Sequence, residues 1–271
     1  CIRDRYRTGG LLSEIIDSLD RSGLDGGKIA AQGIEEYAVE CSLEKIFASE
    51  VEAFVVDEGV QVHGGYGYIA EYPIERLYRD ARIRRIFEGT NEINRVLIPT
   101  TLLRRASKGG LPLMAATKEL KMYLAGSVPT LENPGDIVQT IKNVFLFVLG
   151  TSYERYGDEV LKQQEILGHL ADLAIYAYTT ESSWLRAQKT VATNGQNAKH
   201  KKNLATAFIY SAVEKVSLIA REVIATLATG SELEVLRADL DKLFQYTPID
   251  IIALRRKIAG AISAAGKYVA S

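Results

Sequence analysis

Two cysteines and three histidines in 271 residues leave little from which to build a disulfide framework or a metal centre. Cys1 and Cys41 have no metal-ligand spacing, which fits a reducing compartment, and Cys41 reads as a small buried thiol on a helix. His63, His169 and His200 are too scattered to form a ligand set, so no metal is expected. Charge of one sign is equally scarce. The chain carries 33 Lys plus Arg against 34 Asp plus Glu, which leaves no net field to recruit nucleic acid or an anionic membrane. No apolar run approaches the ~20 residues that span a bilayer, and neither end resembles a targeting segment. There is no strand-like alternation. An initial methionine is also missing, and the opening "CIRDRYRTGGLLSEIID" begins in mid-pattern, as a piece of a longer protein would.

What is present is helix. Hydrophobic residues make up 47% of the chain, enough for one large or two medium cores, and nearly every segment repeats at helical spacing. From about Lys28 to Gln61 a single long helix is predicted, with Val39, Leu43, Ile46, Phe47, Phe54 and Val55 as its apolar stripe, stopping at Gly64-Gly65. A shorter helix runs from Pro73 to about Ile86, and another follows Gly89-Thr90 as far as "SKGGLP". That last motif breaks helix and marks a boundary: 1–106 a first helical domain, 107–112 a linker, 113–271 a second helical bundle.

In the second part, Asn133-Pro134 reads as a cap followed by proline at the first helical position. An amphipathic segment from Asp158 to about Ala192 presents Ile166, Leu170, Leu173, Ala177, Trp184 and Leu185. After the polar break "TNGQNAKHKKN", Ile209, Val213, Val216, Ala220, Val223 and Leu227 alternate spacings of four and three, the seam of an antiparallel bundle. Gly230 is predicted to end that helix, and Thr247-Pro248-Ile249-Asp250 to cap a last one reaching almost to Ser271. The fold class is therefore all-α, one helical bundle followed by a second.

Chemistry concentrates in "QVHGGYGYIAEYPIERLYRDARIRRIFEGTNEINR", residues 61–95. Glycines that follow a helix rather than a strand are not a Rossmann fingerprint, but they let backbone amides approach a phosphate or an adenine. Arg76, Arg79, Arg82, Arg84 and Arg85 are interspersed with Glu71, Glu75 and Asp80, a pattern of ion pairing on a helix surface.

Gln61, Gly64, Gly65, Gly67, Tyr68, Glu71, Arg76 and Asp80 stand at the spacing of the second signature of the acyl-CoA dehydrogenase family, and "IFEGTNEI" follows as the segment that carries that family's base. The chain is similar over about Tyr6–Arg104 to the family's C-terminal α-domain, and beyond it to the C-terminal extension of long- and very-long-chain members. The resemblance implies a flavoprotein oxidoreductase of fatty-acid β-oxidation that oxidises an acyl-CoA to the trans-2-enoyl-CoA with FAD as cofactor. Glu88 stands in the place of the catalytic base, with Phe87 part of an apolar wall that would raise its pKa. Gln61, Val62, His63, Gly64 and Gly65 match the segment that receives the adenosine pyrophosphate of an FAD bound mainly by a neighbouring subunit; Thr90 and Glu92 match FAD contacts after the base, and Gly89 a position lining the thioester site. His63 is expected to act as a spacer there rather than in catalysis.

The partners so implied are the acyl-CoA substrate, a second copy in a homodimer or dimer of dimers with FAD at the interface, and an electron-transferring flavoprotein. The expected compartment is the bacterial cytoplasm or, as a lesser alternative, the mitochondrial matrix. Domains of the family that supply most flavin contacts have no counterpart here, so the isolated chain is expected to show little or no dehydrogenase activity. Alternatives are an acyl-CoA oxidase, which shares fold and base, and a partner- or membrane-docking module built on the last helix, which mixes an apolar face with Arg255, Arg256, Lys257 and Lys267.

Overall fold

The computed structural model describes residues 2–18, 26–193, 195 and 197–268; Cys1 lies outside them. Among the described residues there is no strand, only one isolated parallel bridge between Leu131 and Tyr246. The chain divides into two compact units, Cys1–Arg104 and Arg105–Ser271.

The first unit holds α1 (Ile2–Ser18), α2 (Gly26–Glu36), α3 (Ala38–His63), a 3-10 turn (Gly64–Tyr68), α4 (Pro73–Arg84) and most of α5 (Asn91–Ser107). The single helix expected from Lys28 to Gln61 is in fact two. The backbone turns at Tyr37 (φ −100°, ψ 22°), where no glycine or proline signals a break, and the bend lets α1 touch both α2 and α3. Val39, Leu43 and Ile46 are buried as the stripe requires, but Phe54 and Val55 are exposed and Ser49 and Val56 take the inward positions. Cys41 is only partly buried; burial and then the neighbouring Glu44 and Glu40 push its thiol pKa up.

The second unit contains α6 (Leu113–Ala125), α7 (Pro134–Tyr156), a 3-10 turn (Gly157–Lys162), α8 (Gln164–Ala192), α9 (Ala198–Leu227), α10 (Gly230–Leu243) and α11 (Ile251–Ala265). Helices α7, α8 and α9 pack on one another, α6 lies on α7, and α10 and α11 flank α9. All six seam residues of α9 are at most 1% exposed, because a four-three repeat keeps them on one face of a helix. Asn133 caps α7, its Oδ1 accepting from the Gly135 and Asp136 amides at 2.9 and 3.2 Å.

Four expectations need correction here. Leu185 is 51% exposed; the buried face of α8 instead carries Thr179, Thr180, Ser182 and Ser183. Their hydroxyls donate to carbonyls four residues back, so burial leaves no hydroxyl proton unpaired. Helix α9 ends at Leu227, and Gly230 (φ +57°) opens α10 rather than closing α9. The cap of α11 is Asp250, which accepts from the Ala253 amide at 2.8 Å; Thr247 is held out of that role, its amide donating to the Leu131 carbonyl at 2.9 Å and its carbonyl accepting from the Tyr210 hydroxyl. That helix stops at Ala265 with Gly266 in the left-handed conformation, so it does not extend to the neighbourhood of Ser271, and residues 269–271 lie outside the described set. No described helix is long and apolar enough to cross a membrane.

Candidate functional site

Helices α3 and α4 form an antiparallel pair. Ile74 packs where a side chain on Gly59 would stand (2.7 Å from the position of a Cβ), Arg84 pairs with Glu52 at 2.6 Å, and Asn91 reaches back to Ser49. The arginine run is thus partly spent on ion pairs, with Arg79 joined to Glu75 at 3.2 Å as well. These are exposed pairs and contribute little stability.

The pairing separates the predicted site residues into two groups. Gln61, Val62 and His63 close α3, and Gly64 and Gly65 begin the 3-10 turn; Val62 is 84% exposed. Gly64 has φ +59°, and a Cβ on either glycine would meet nothing within 4 Å, so this stretch of backbone is open to an incoming group. Gly67 is different in kind: a Cβ there would lie 2.7 Å from the Val60 carbonyl, so it is a packing glycine. Glu88, Gly89, Thr90 and Glu92 sit beyond the other end of α4, whose 12 residues span roughly 18 Å at the α-helical rise. The two groups are therefore not brought together.

Around Glu88 the backbone is unusual. Glu88 (φ +55°) and Gly89 (φ +84°) are consecutive left-handed residues. For a residue with a Cβ that conformation costs about 1–2 kcal/mol, and it persists only where the surroundings over-determine it. They do so here. The Gly89 carbonyl accepts from Lys45 Nζ at 2.7 Å and from Asn94 Nδ2 at 2.9 Å, and the Asn91 amide donates to the Arg85 carbonyl at 3.1 Å. Asn91 is 1% exposed: its Oδ1 accepts from Lys45 Nζ at 2.7 Å, and its Nδ2 donates to Ser49 Oγ at 3.0 Å and Glu50 Oε1 at 3.3 Å. Glu50 is fixed in turn by Arg95, which donates to both of its oxygens at 2.8 and 3.0 Å.

Thr90 caps α5, its Oγ1 accepting from the Ile93 amide at 3.2 Å. Glu92 stands in the first turn of that helix. Its own backbone amide first, and then the Thr90 hydroxyl, Arg95 and Arg85, hold its carboxyl below the usual range against the opposing effect of burial. Burial pushes the Lys45 ammonium below its ordinary value, while Glu92, Glu88 and Glu50 act the other way. Among the described residues no apolar wall covers Glu88, which is exposed, and Phe87 is 45% exposed. Lys45, Ser49, Glu50 and Asn91 were not anticipated from the sequence, since their partners lie more than 40 positions away.

The fold and this loop define an all-α chain that presents a carboxylate on a strained turn ahead of a capped helix. Two family models match, both described as the C-terminal domain of acyl-CoA dehydrogenase, at residues 23–103 and 140–242. A probable acyl-CoA dehydrogenase of Bacillus subtilis is 40% identical over 97% of this chain and 46% of its own length. The very long-chain specific acyl-CoA dehydrogenase of Rattus norvegicus mitochondria is 30% identical over 76% of this chain and 34% of its own. A Bacillus anthracis acyl-CoA dehydrogenase crystallised with FAD superposes with a TM-score of 0.93 at 40% identity, covering 98% of this chain and 46% of that one. This chain belongs to the acyl-CoA dehydrogenase family, and it spans less than half the length of these relatives. An acyl-CoA oxidase of Yarrowia lipolytica, at 15% identity and a TM-score of 0.66, shares the fold alone.

Proposed function

We propose that this chain supplies the base and the adenosine-side cofactor segment of an FAD-dependent acyl-CoA dehydrogenase, with Glu88 taking the α proton of the thioester. The observation that carries this reading is the left-handed Glu88-Gly89 turn, held at the entrance to α5 with the carboxylate free at the surface. A carboxylate so placed can accept a proton from carbon, and Gly89, with no side chain, lets a thioester come close. The α C–H bond breaks toward Glu88, its electron pair forms the C–C double bond, and the β hydrogen departs with its own pair. Bound FAD would accept that hydride.

The residues present fit such a cofactor in one respect: without side chains, Gly64 and Gly65 leave room for a pyrophosphate beside the backbone, while the Gly64 amide itself donates to the Gln61 carbonyl. Gln61 and His63 flank them as polar side chains. The resemblance implies that one chain's Gln61–Gly65 serves the FAD whose reacting ring lies against another chain's Glu88, and their placement at opposite ends of α4 is compatible with this, so that a homodimer or a dimer of dimers would be the working unit. Exposed apolar residues at the surface of the first unit, Val62, Tyr66, Tyr68 and Ile69 among them, suit burial by a second copy or by further domains. Thr90 and Glu92 are at hand as further cofactor contacts, although the Thr90 hydroxyl already caps α5. The second unit, shared in part with the very long-chain relatives, favours a long-chain acyl thioester as substrate.

The test is Glu88→Gln in the whole flavoenzyme, with flavin bleaching by palmitoyl-CoA as the assay. General-base catalysis contributes about 100- to 10,000-fold. A loss of at least ~100-fold in the rate of bleaching, with substrate still bound, is the expected result; a rate within threefold of the parent refutes the assignment.

A further inference from the structure

The donors around the Glu88 turn are unequal. Asn94 reaches the Gly89 and Thr90 carbonyls from the same segment, four or five positions away, and so moves with the turn it holds. Lys45 comes from the first third of α3, and its ammonium donates at 2.7 Å both to the Gly89 carbonyl and to Oδ1 of the buried Asn91. A charged donor that bridges two points of the loop from a separate helix fixes the loop relative to the scaffold, which a local amide does not. Ser49 and Glu50, on the same helix, hold the other side of Asn91.

We infer that Lys45 is the positioning residue of the proposed base: through its bonds to Gly89 and Asn91 it locks the left-handed turn and sets where the Glu88 carboxylate stands. This rests on the reading of Glu88 given above. The charged groups that act on the ammonium are Glu92, Glu88 and Glu50.

Lys45→Met keeps the aliphatic stem and removes the donors; Lys45→Arg keeps the charge. In the whole flavoenzyme with palmitoyl-CoA, Lys45→Met should lower kcat at least tenfold and leave KM within twofold, and Lys45→Arg should restore most of the lost kcat. Independently of turnover, hydrogen exchange at the Asn91 amide should quicken at least tenfold in Lys45→Met while α3 and α4 amides keep their protection. Unchanged Asn91 exchange overturns the inference, as does an unchanged kcat or a loss of protection spread evenly over the first unit, the mark of a merely structural lysine. Should Glu88→Gln keep its activity, the base assignment fails and with it the catalytic half of this inference. The Asn91 exchange then still decides whether Lys45 holds the turn.

Discussion

Asn91→Ala should loosen the base loop far more than its single amide group suggests. At 1% exposure the side chain exchanges no hydrogen bonds with water, and three hydrogen bonds converge on it: Lys45 donates to its Oδ1 at 2.7 Å, while its Nδ2 donates to Ser49 and Glu50. A hydrogen bond to a charged partner is worth about 1.5–3 kcal/mol and a neutral one about 0.5–1.5 kcal/mol net. The partners are not wholly stranded. Lys45 keeps the Gly89 carbonyl, Ser49 Oγ keeps the Ile46 carbonyl, and Glu50 keeps Arg95. Discounting for these alternatives, the loss is about 3 kcal/mol, which corresponds to on the order of 100-fold in a local opening equilibrium. Hydrogen exchange of the α5 amides, followed by mass spectrometry, reads that quantity directly. Trp184 is the chain's one tryptophan and lies in the second unit, so its fluorescence is not the probe. Exchange of α5 within threefold of the parent refutes the view that Asn91 is the anchor of the loop.

Two further outcomes concern the second unit. Gly150 lies inside α7 with Thr117 Cγ2 2.2 Å from where its Cβ would be, and Thr117 is itself buried with its hydroxyl donating to the Leu113 carbonyl. Gly150→Ala should therefore cost about 1–2 kcal/mol after the gain in helix propensity is set against overpacking, and Thr117→Ser in the same chain should recover most of it in urea unfolding; equal losses with and without that second change would refute the clash. Tyr246 is partly buried and donates to Glu214 in a short hydrogen bond; burial first, then Glu214, raise its pKa well above 10.0. A raised folded pKa gives stability that is complete below the unfolded value near 10 and declines as pH climbs beyond it toward the folded value. Tyr246→Phe should remove that part of the alkaline decline in unfolding midpoint, and an unaltered slope would count against it.

How far the sequence could be read depended on whether the cause of a feature was local. The α9 seam was visible because burial of Ile209 to Leu227 follows from a repeat within one helix, and the cap at Asn133 because cap and capped amides are neighbours. The break at Tyr37 was invisible: the nearby residue that most disfavours helix, Gly33, stays inside α2, where its missing side chain makes room for Ile16 of α1. Thr247 failed as a cap for a similar reason, since a residue 116 positions earlier, Leu131, takes its amide. The candidate site divides in the same way. The letters of "FEGTNE" mark a carboxylate followed by a glycine and a cap, but they do not say that the glutamate, rather than the glycine alone, is left-handed. That conformation is imposed from α3, through Lys45, Ser49 and Glu50, and its trace in sequence is one polar residue, Ser49, among the inward positions of that helix. A buried polar residue at such a position signals a hydrogen-bonded partner elsewhere in the chain. Asn91 is one of them, and it ties the proposed chemistry to the scaffold.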